Sequence, residues 1–341
     1  MSTSPTVQRF IEMVTAGWVT ASLHAVAVLG IADLLADGPR SADELARATN
    51  ASPDPLRRVL RALAAHSVFA EREDGRFEQT ELSGFLRDDA AGGMRSYVLF
   101  FAGVVWSSSW VHMLHSVRTG GTAFAKVHGA ELFEYMKQDA DFATVFNEAM
   151  TVGSKRTAGE IVAMYDFSRF DTIVDVGGGQ GWLLATILAK TPGARGILFD
   201  LEHVIEAARP VVARHGVAER CQLVPGSFFD SVPSGGDAYI MKWIMHDWND
   251  EDATRILRNV RAVIPAGGSL IVFDRVLPER VTPGNRLLQN STLMDLNMLV
   301  NVTGRERTEA QFRTLLTGSG FRLVSARMVS TGLGVVEGEP V

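Results

Sequence analysis

Cysteine is almost missing from this chain: its 341 residues include only Cys221, so no internal disulfide can form, and the composition fits a reducing, cytoplasmic setting. Lysine is scarce as well, at positions 126, 137, 155, 190 and 242, which leaves basic charge almost wholly to arginine. The net charge of -6 offers no positive footprint for nucleic acid. The histidines and acids have no close ligand spacing such as HExxH, so a metal-free chemistry is expected. No repeat, low-complexity tract or charge block is found, and the first residues lack the basic start and cleavage site of a secretory signal. One long run does lack charge. Val14 to Ala32 is apolar apart from His24 and small residues, between Glu12 and Asp33. A helix of that kind in a soluble chain is buried, and this one is expected to pack against a second subunit rather than to enter a membrane, packing inside its own domain being the alternative.

What is present is organised around Asp175 to Gly181, DVGGGQG, which follows Ile173 and Val174 and runs into Trp182, Leu183 and Leu184. The stretch reads as a buried strand, a glycine turn and the first turn of a helix. Glycines at 177, 179 and 181 let the backbone bend tightly and approach a ligand closely. A dinucleotide turn is GxGxxG, but the register after Gly177 and Gly179 puts Trp182 at the third glycine, which argues against a nicotinamide. Asp175 would repel phosphate and attract a cation. Asp200, closing the next apolar run, is placed to bind both hydroxyls of a ribose. A nucleoside at one end and an ammonium at the other describe S-adenosylmethionine.

The N-terminal part reads as helix, turn, helix and wing. Ser41 with Glu44 forms a capping box, Asn50 to Pro55 a turn, Leu56, Val59, Leu60 and Leu63 an apolar stripe, and Asp74 with Gly75 the turn of a hairpin. Winged helices often read DNA, so a ligand-responsive regulator has to be weighed. Between Ser41 and Ala90, however, seven arginines stand against ten acids, a net of -3, which suits a dimerisation scaffold better. Tyr97 to His115 is an aromatic helical region, and Asp141 to Tyr165 a long helix joining two domains.

From Thr172 onward, apolar runs alternate with helical patterns. Strands are expected at 172–177, 195–200, 222–225, 238–243, 269–276, 322–330 and 335–337, with helices at 181–190, 202–215, 250–262, 285–299 and 308–319. Such alternation means an α/β sheet covered on both faces, with ligands at the carboxyl ends of the strands. His246 stands just past the end of the fourth strand. A phenol has a pKa of about 10 and imidazole about 6.5, so His246 can take a hydroxyl proton if its own charge is answered. Asp274 and Glu306 are candidates for orienting the ring and balancing that charge.

In order, the stretches DVGGGQG, ILFDLEHVI, GSFFDSVP, MKWIMHDW, VFDRVLPE and GRERTEAQFRTLLTGSGF make the chain resemble, over nearly its whole length, the caffeic acid and hydroxyindole O-methyltransferases, whose bacterial members methylate natural products. The resemblance implies a class I methyltransferase fold of Rossmann-like type, with a seven-stranded sheet whose last strand is antiparallel, and an intertwined homodimer. The corresponding division is 1–95 for a helical and winged-helix dimerisation domain, 96–165 for a helical linker lining the pocket, and 166–341 for the cofactor-binding catalytic domain. It implies Gly177 and Gly179 at the methionine end of the cofactor, Asp200 on the ribose, Ser227 with Phe228 around the adenine, and Lys242 along the cofactor's backbone groups. His246 matches the general base and Asp274 and Glu306 its supporting acids, while Phe142, Phe146, Met150, Trp243, Asn297 and Asn301 match the acceptor pocket. Flat rings and a thioether suit a planar aromatic hydroxyl compound. Ser227 departs from the family, which usually has aspartate there. Similar scaffolds can also use the cofactor for decarboxylation or hydroxylation, against which the intact His246, Asp274 and Glu306 set argues.

Overall fold

The structure, a computed structural model, describes residues 4–88, 92–329 and 333–341. It comprises two compact units, Met1–Ser107 with Asp139–Gly153, and Ser108–Gln138 with Ser154–Val341.

The first unit opens with the helix Pro5–Val28, whose proline sits in the first turn, where no amide partner is needed. Its last turns pack through Leu23, Val26 and Ala27, but Phe10 is 67% and Trp18 73% exposed, with Val7, Ile11, Met13 and Val14 also open. Packing within its own unit therefore accounts only for the end of this helix. The capping box on the helix Ala42–Thr49 is formed: the Glu44 amide donates to the Ser41 hydroxyl at 3.3 Å, and the Ser41 amide to the Glu44 carboxylate at 2.7 Å. The next helix, Pro53–Ala65, starts earlier than expected because Ser52 and Pro53 make a natural first turn, and it buries Leu56, Leu60 and Leu63. Strands β1 (Phe69–Glu71) and β2 (Phe77–Gln79) pair antiparallel, with Gly75 left-handed at φ 78° in the turn between them. The long helix Ala140–Met164 contributes to the first unit as far as Gly153 and to the second from Ser154.

The second unit is built on β3 (Thr172–Val176), β4 (Arg195–Asp200), β5 (Cys221–Pro225), β6 (Ala238–Lys242), β7 (Ser269–Phe273), β8 (Val276–Leu277), β9 (Arg307–Thr308), β10 (Phe321–Met328) and β11 (Gly334–Pro340). Seven of them form one sheet in the order β5-β4-β3-β6-β7-β11-β10. Strands β3 to β7 pair parallel, and β11 runs antiparallel to both β7 and β10, so the last strand alone is reversed. This is the class I methyltransferase fold. The helices Trp182–Lys190 and Glu202–Arg214 close a core around Leu184, Ile187 and Leu198 on one face, and Asp250–Arg261 and Glu309–Gly318 another around Ile256, Leu257 and Phe312.

Several expected strands are revised: the one expected at 335–337 runs longer, as Gly334–Pro340. The run expected to reach Val276 breaks after Phe273, because Asp274 and Arg275 leave the sheet, and Val276–Leu277 pairs instead with Arg307–Thr308. Trp243 does not continue β6: it is left-handed at φ 55°, and the chain turns out of the sheet there. The strand expected at 322–330 covers Phe321–Met328, and its proposed last residue, Ser330, lies outside the described residues.

Candidate active site

At the carboxyl end of β3 the chain bends through Gly177 at φ 70° and Gly179 at φ 60°. A Cβ on Gly177 would meet Ile244 Cδ1 at 2.6 Å and the Phe228 ring at 3.3 Å, so this glycine is needed for close packing. A Cβ on Gly179 would meet nothing within 4 Å. The Gly179 amide donates to Asp200 Oδ2 at 2.8 Å and the Leu201 amide to Asp200 Oδ1 at 2.7 Å. Each oxygen keeps a lone pair for a hydroxyl partner, and burial raises the pKa of the group against these two amides. Asp175 lies beneath the turn, 1% exposed, where a Cβ on Gly178 would stand 2.6 Å from its Oδ2, an atom with no hydrogen-bond partner. Burial pushes Asp175 up to about 7 and Lys242 down to about 8, each resisting the other through their opposite charges. The Lys242 ammonium rests 3.8 Å over the Trp243 ring. Ser227 accepts the Phe229 amide at 3.2 Å, and the Phe228 ring meets Trp248 edge-on at 6.0 Å. An exposed-backbone glycine beside a ribose-competent carboxylate, with an aromatic ring nearby, is a set of residues that fits S-adenosylmethionine.

His246 lies on the short 3-10 turn Met245–Asp247 and is 8% exposed. Its Nδ1 is 3.0 Å from Glu306 Oε1, which also accepts Arg275 Nη1 at 3.2 Å, while Nε2 faces Asp247 Oδ1 at 3.5 Å. Burial pushes the imidazole down, but Glu306 first, then Asp247 and Asp274, outweigh it and lift the pKa to about 9. Glu306 is held below the usual carboxylate range by His246 and Arg275 despite its burial, whereas burial lifts Asp247 to about 6. Asp274 is 0% exposed and does not touch the ring: its Oδ2 accepts the His246 amide at 3.1 Å. It thus holds the backbone of the turn and acts on the ring through charge alone.

Of the residues matched to an acceptor pocket, Phe142 and Phe146 pack on Phe100 in the first unit, with ring centroids 5.7 and 5.3 Å apart, and Met150 lies further along the same helix. Trp243, Asn297 and Asn301 belong to the second unit. Asn301 Nδ2 donates to Asn297 Oδ1 at 3.1 Å, and both Asn301 Oδ1 and Trp243 Nε1 are buried without a hydrogen-bond partner. Four residues around His246 escaped the sequence reading: Asp247, Arg275, Gly304 and Arg307. Asp247, Arg275 and Arg307 each adjoin a candidate, His246, Asp274 and Glu306 respectively, whereas Gly304 carried no such signal. Among the described residues, no group of three or more His, Cys, Asp or Glu side chains is arranged to hold a metal ion.

Comparison with known proteins identifies the family. Residues 110–322 match the O-methyltransferase domain and residues 11–89 the O-methyltransferase dimerisation domain. A phenazine O-methyltransferase of Lysobacter antibioticus is 43% identical, over 97% of this chain and 95% of its own length. The solved structure of LaPhzM superposes with a TM-score of 0.93 at 42% identity, covering 99% of this chain and 100% of that one. An O-methyltransferase from neocarzinostatin biosynthesis, solved with S-adenosylmethionine and 2-hydroxy-5-methyl naphthoic acid, gives 0.82 at 32% identity, covering 94% of this chain and 96% of that one.

Two outcomes follow from these contacts. A Cβ on Gly304 would collide with the His246 carbonyl and stand 2.6 Å from the Trp248 amide, so Gly304→Ala must push the turn aside. It should lower turnover by about 10- to 100-fold in steady-state assays, and wild-type turnover would show that the turn tolerates the shift. Ser227→Asp keeps the acceptor for the Phe229 amide and adds a second, charged oxygen. Titration calorimetry should find S-adenosylhomocysteine bound about 2- to 10-fold more tightly, and unchanged or weaker binding would contradict the adenine-side placement.

Proposed function

The chain belongs to the O-methyltransferase family and is a transferase of natural-product biosynthesis that uses S-adenosylmethionine, and from that premise we propose that it methylates a phenolic hydroxyl of a small aromatic compound without a metal, with His246 as general base. The single observation that carries the reading is the buried imidazole with one nitrogen on Glu306 and the other directed away from it. When bound, the cofactor supplies a methyl group on a positively charged sulfur, which the acceptor oxygen displaces. Glu306 fixes Nδ1 as the protonated nitrogen and stabilises the imidazolium once Nε2 has taken the hydroxyl proton. Asp247, facing Nε2, offers a second acceptor for that proton or an anchor for the hydroxyl. Asp200 would hold the ribose, Phe228 the adenine face, the glycine turn with Asp175 and Lys242 the methionine end, and Trp243, Asn297 and Asn301 part of the acceptor's surroundings. A relative named for phenazine methylation and another solved with a bound naphthoic acid support a planar acceptor.

His246→Ala should reduce turnover by about 100-fold or more in buffer containing EDTA while S-adenosylhomocysteine affinity stays within about threefold. Undiminished turnover would remove the general base, and loss of wild-type activity in EDTA would remove the metal-free reading. Because the imidazole is raised from 6.5 to about 9, it is protonated at neutral pH and becomes a base only as pH rises. Turnover should therefore climb between those values and then level off. The His246–Glu306 ion pair contributes stability below pH 6.5 that is lost as pH passes about 9, so melting temperature and rate should move in opposite directions over that window.

The exposed apolar face of the first helix runs from Val7 and Phe10 into the dimerisation-domain match, which begins at residue 11, and we read it as the contact with a second copy, with the adjoining helices and hairpin as a winged-helix scaffold. Light scattering should give the mass of two 37.1 kDa chains for wild type and of one for Phe10→Glu with Trp18→Glu. A wild-type monomer, or an unaltered dimer in the double variant, would refute this.

A further inference from the structure

The turn that carries His246 has little bonding of its own. At its start the Asp247 amide reaches back to the Ile244 carbonyl at 3.2 Å. Its other restraints come from side chains. Asp274 takes the His246 amide, and Arg307 takes the carbonyls at both ends: Nη1 donates to Met245 O at 2.7 Å and Nη2 to Trp248 O at 2.9 Å. The same guanidinium donates from Nε and Nη2 to Asp250 Oδ1 at 3.0 and 2.8 Å, tying the turn to the first residue of the helix Asp250–Arg261.

Arg307 is 1% exposed, anchored by the pairing of β9 with β8. Burying so large a cation is costly, and Asp250, its carboxylate partner in an ion pair, is largely in solvent. The two buried bonds go to uncharged carbonyls, so the side chain does more than lend its charge to the nearby Asp274 carboxylate. A guanidinium is a rigid planar fork, and one whose two arms end on carbonyls flanking His246 and Asp247 fixes the spacing of those carbonyls as a single ammonium could not.

We propose that Arg307 is the positioning residue of the catalytic turn: it sets where His246 sits relative to Glu306, and with it the basicity and aim of the imidazole. The proposal rests on the reading of His246 as the base. Glu306 and Arg307 are consecutive, so one short stretch of backbone holds the ring by one side chain and its frame by the next.

The test is Arg307→Lys, which keeps the charge but cannot bridge both carbonyls, with folding checked by thermal melting. Turnover should fall about 10- to 100-fold while the affinity for S-adenosylhomocysteine, read by calorimetry, stays within about threefold. An NMR titration of the His246 ring should give a pKa displaced from about 9 toward 6.5. In a His246→Ala background the lysine variant should add less than about a twofold loss, because Arg307 acts through the histidine. A folded Arg307→Lys protein with turnover within about twofold of wild type and an unmoved titration would overturn the proposal, as would fully multiplicative losses in the cycle. Should the lysine variant fail to fold, Asp250→Asn loosens the arm from its exposed end, and a loss of about 2- to 5-fold with the same titration shift is expected, against wild-type values if the proposal is wrong. If His246→Ala alone keeps full turnover, the base assignment fails, and the ring titration still decides separately whether Arg307 positions it.

Discussion

The pairing of His246 Nδ1 with Glu306 Oε1 at 3.0 Å is the interaction on which the rest of the second unit's chemistry depends. Neither partner could stay charged alone at such depth. Burial opposes the imidazolium and the carboxylate alike, and each is kept ionised by the other. The pair in turn requires its neighbours: Arg275 supports the carboxylate from a second side, Asp274 and Arg307 hold the backbone, and Gly304 leaves room for the His246 carbonyl. Around it the acids Asp175, Asp247, Asp274 and Glu306 are offset by Lys242, His246, Arg275 and Arg307. A sheet end that would be hostile to charge becomes a balanced electrostatic network.

That network also explains why two strand ends break the rules of the sheet. Trp243 adopts a left-handed backbone that a bulky residue rarely takes, and its ring lies under the Lys242 ammonium with the Arg275 guanidinium 5.9 Å away. Asp274 leaves β7 instead of continuing it. In both places a strand is ended early so that a side chain can serve the site.

Much of this was legible in the sequence because the signals are local. Strand, glycine turn and helix follow one another within Thr172 to Leu184, acids close the strands at Asp200 and Asp274, and His246 sits one turn past β6. Periodicity placed the elements; it could not say which atom a side chain would meet. Asp274 was expected on the ring and is found on the amide. Arg307 binds carbonyls some sixty residues away, at Met245 and Trp248, and nothing in the spelling of a peptide carbonyl advertises such a partner. The Trp243 backbone escaped for a related reason, since an aromatic after an apolar strand ordinarily extends it. The first helix was read as apolar and as needing cover beyond its own domain, and Phe10, Met13, Val14 and Trp18 do stand open in the single chain.

The reversed strand has a consequence in time. β11 is the last strand in the chain, yet it lies between β7 and β10 rather than at an edge. The five parallel strands can associate as they emerge during synthesis, but β10 has no strand to pair with until β11 arrives. At the seam, the Gly334 amide donates to the Asp274 carbonyl at 2.7 Å, and a Cβ on Gly334 would stand 2.6 Å from that oxygen. The residue that grips the His246 amide is thus itself secured by the final strand. A ribosome-bound chain can own its glycine turn and Asp200 early, while the setting of His246 is completed only when the sheet is.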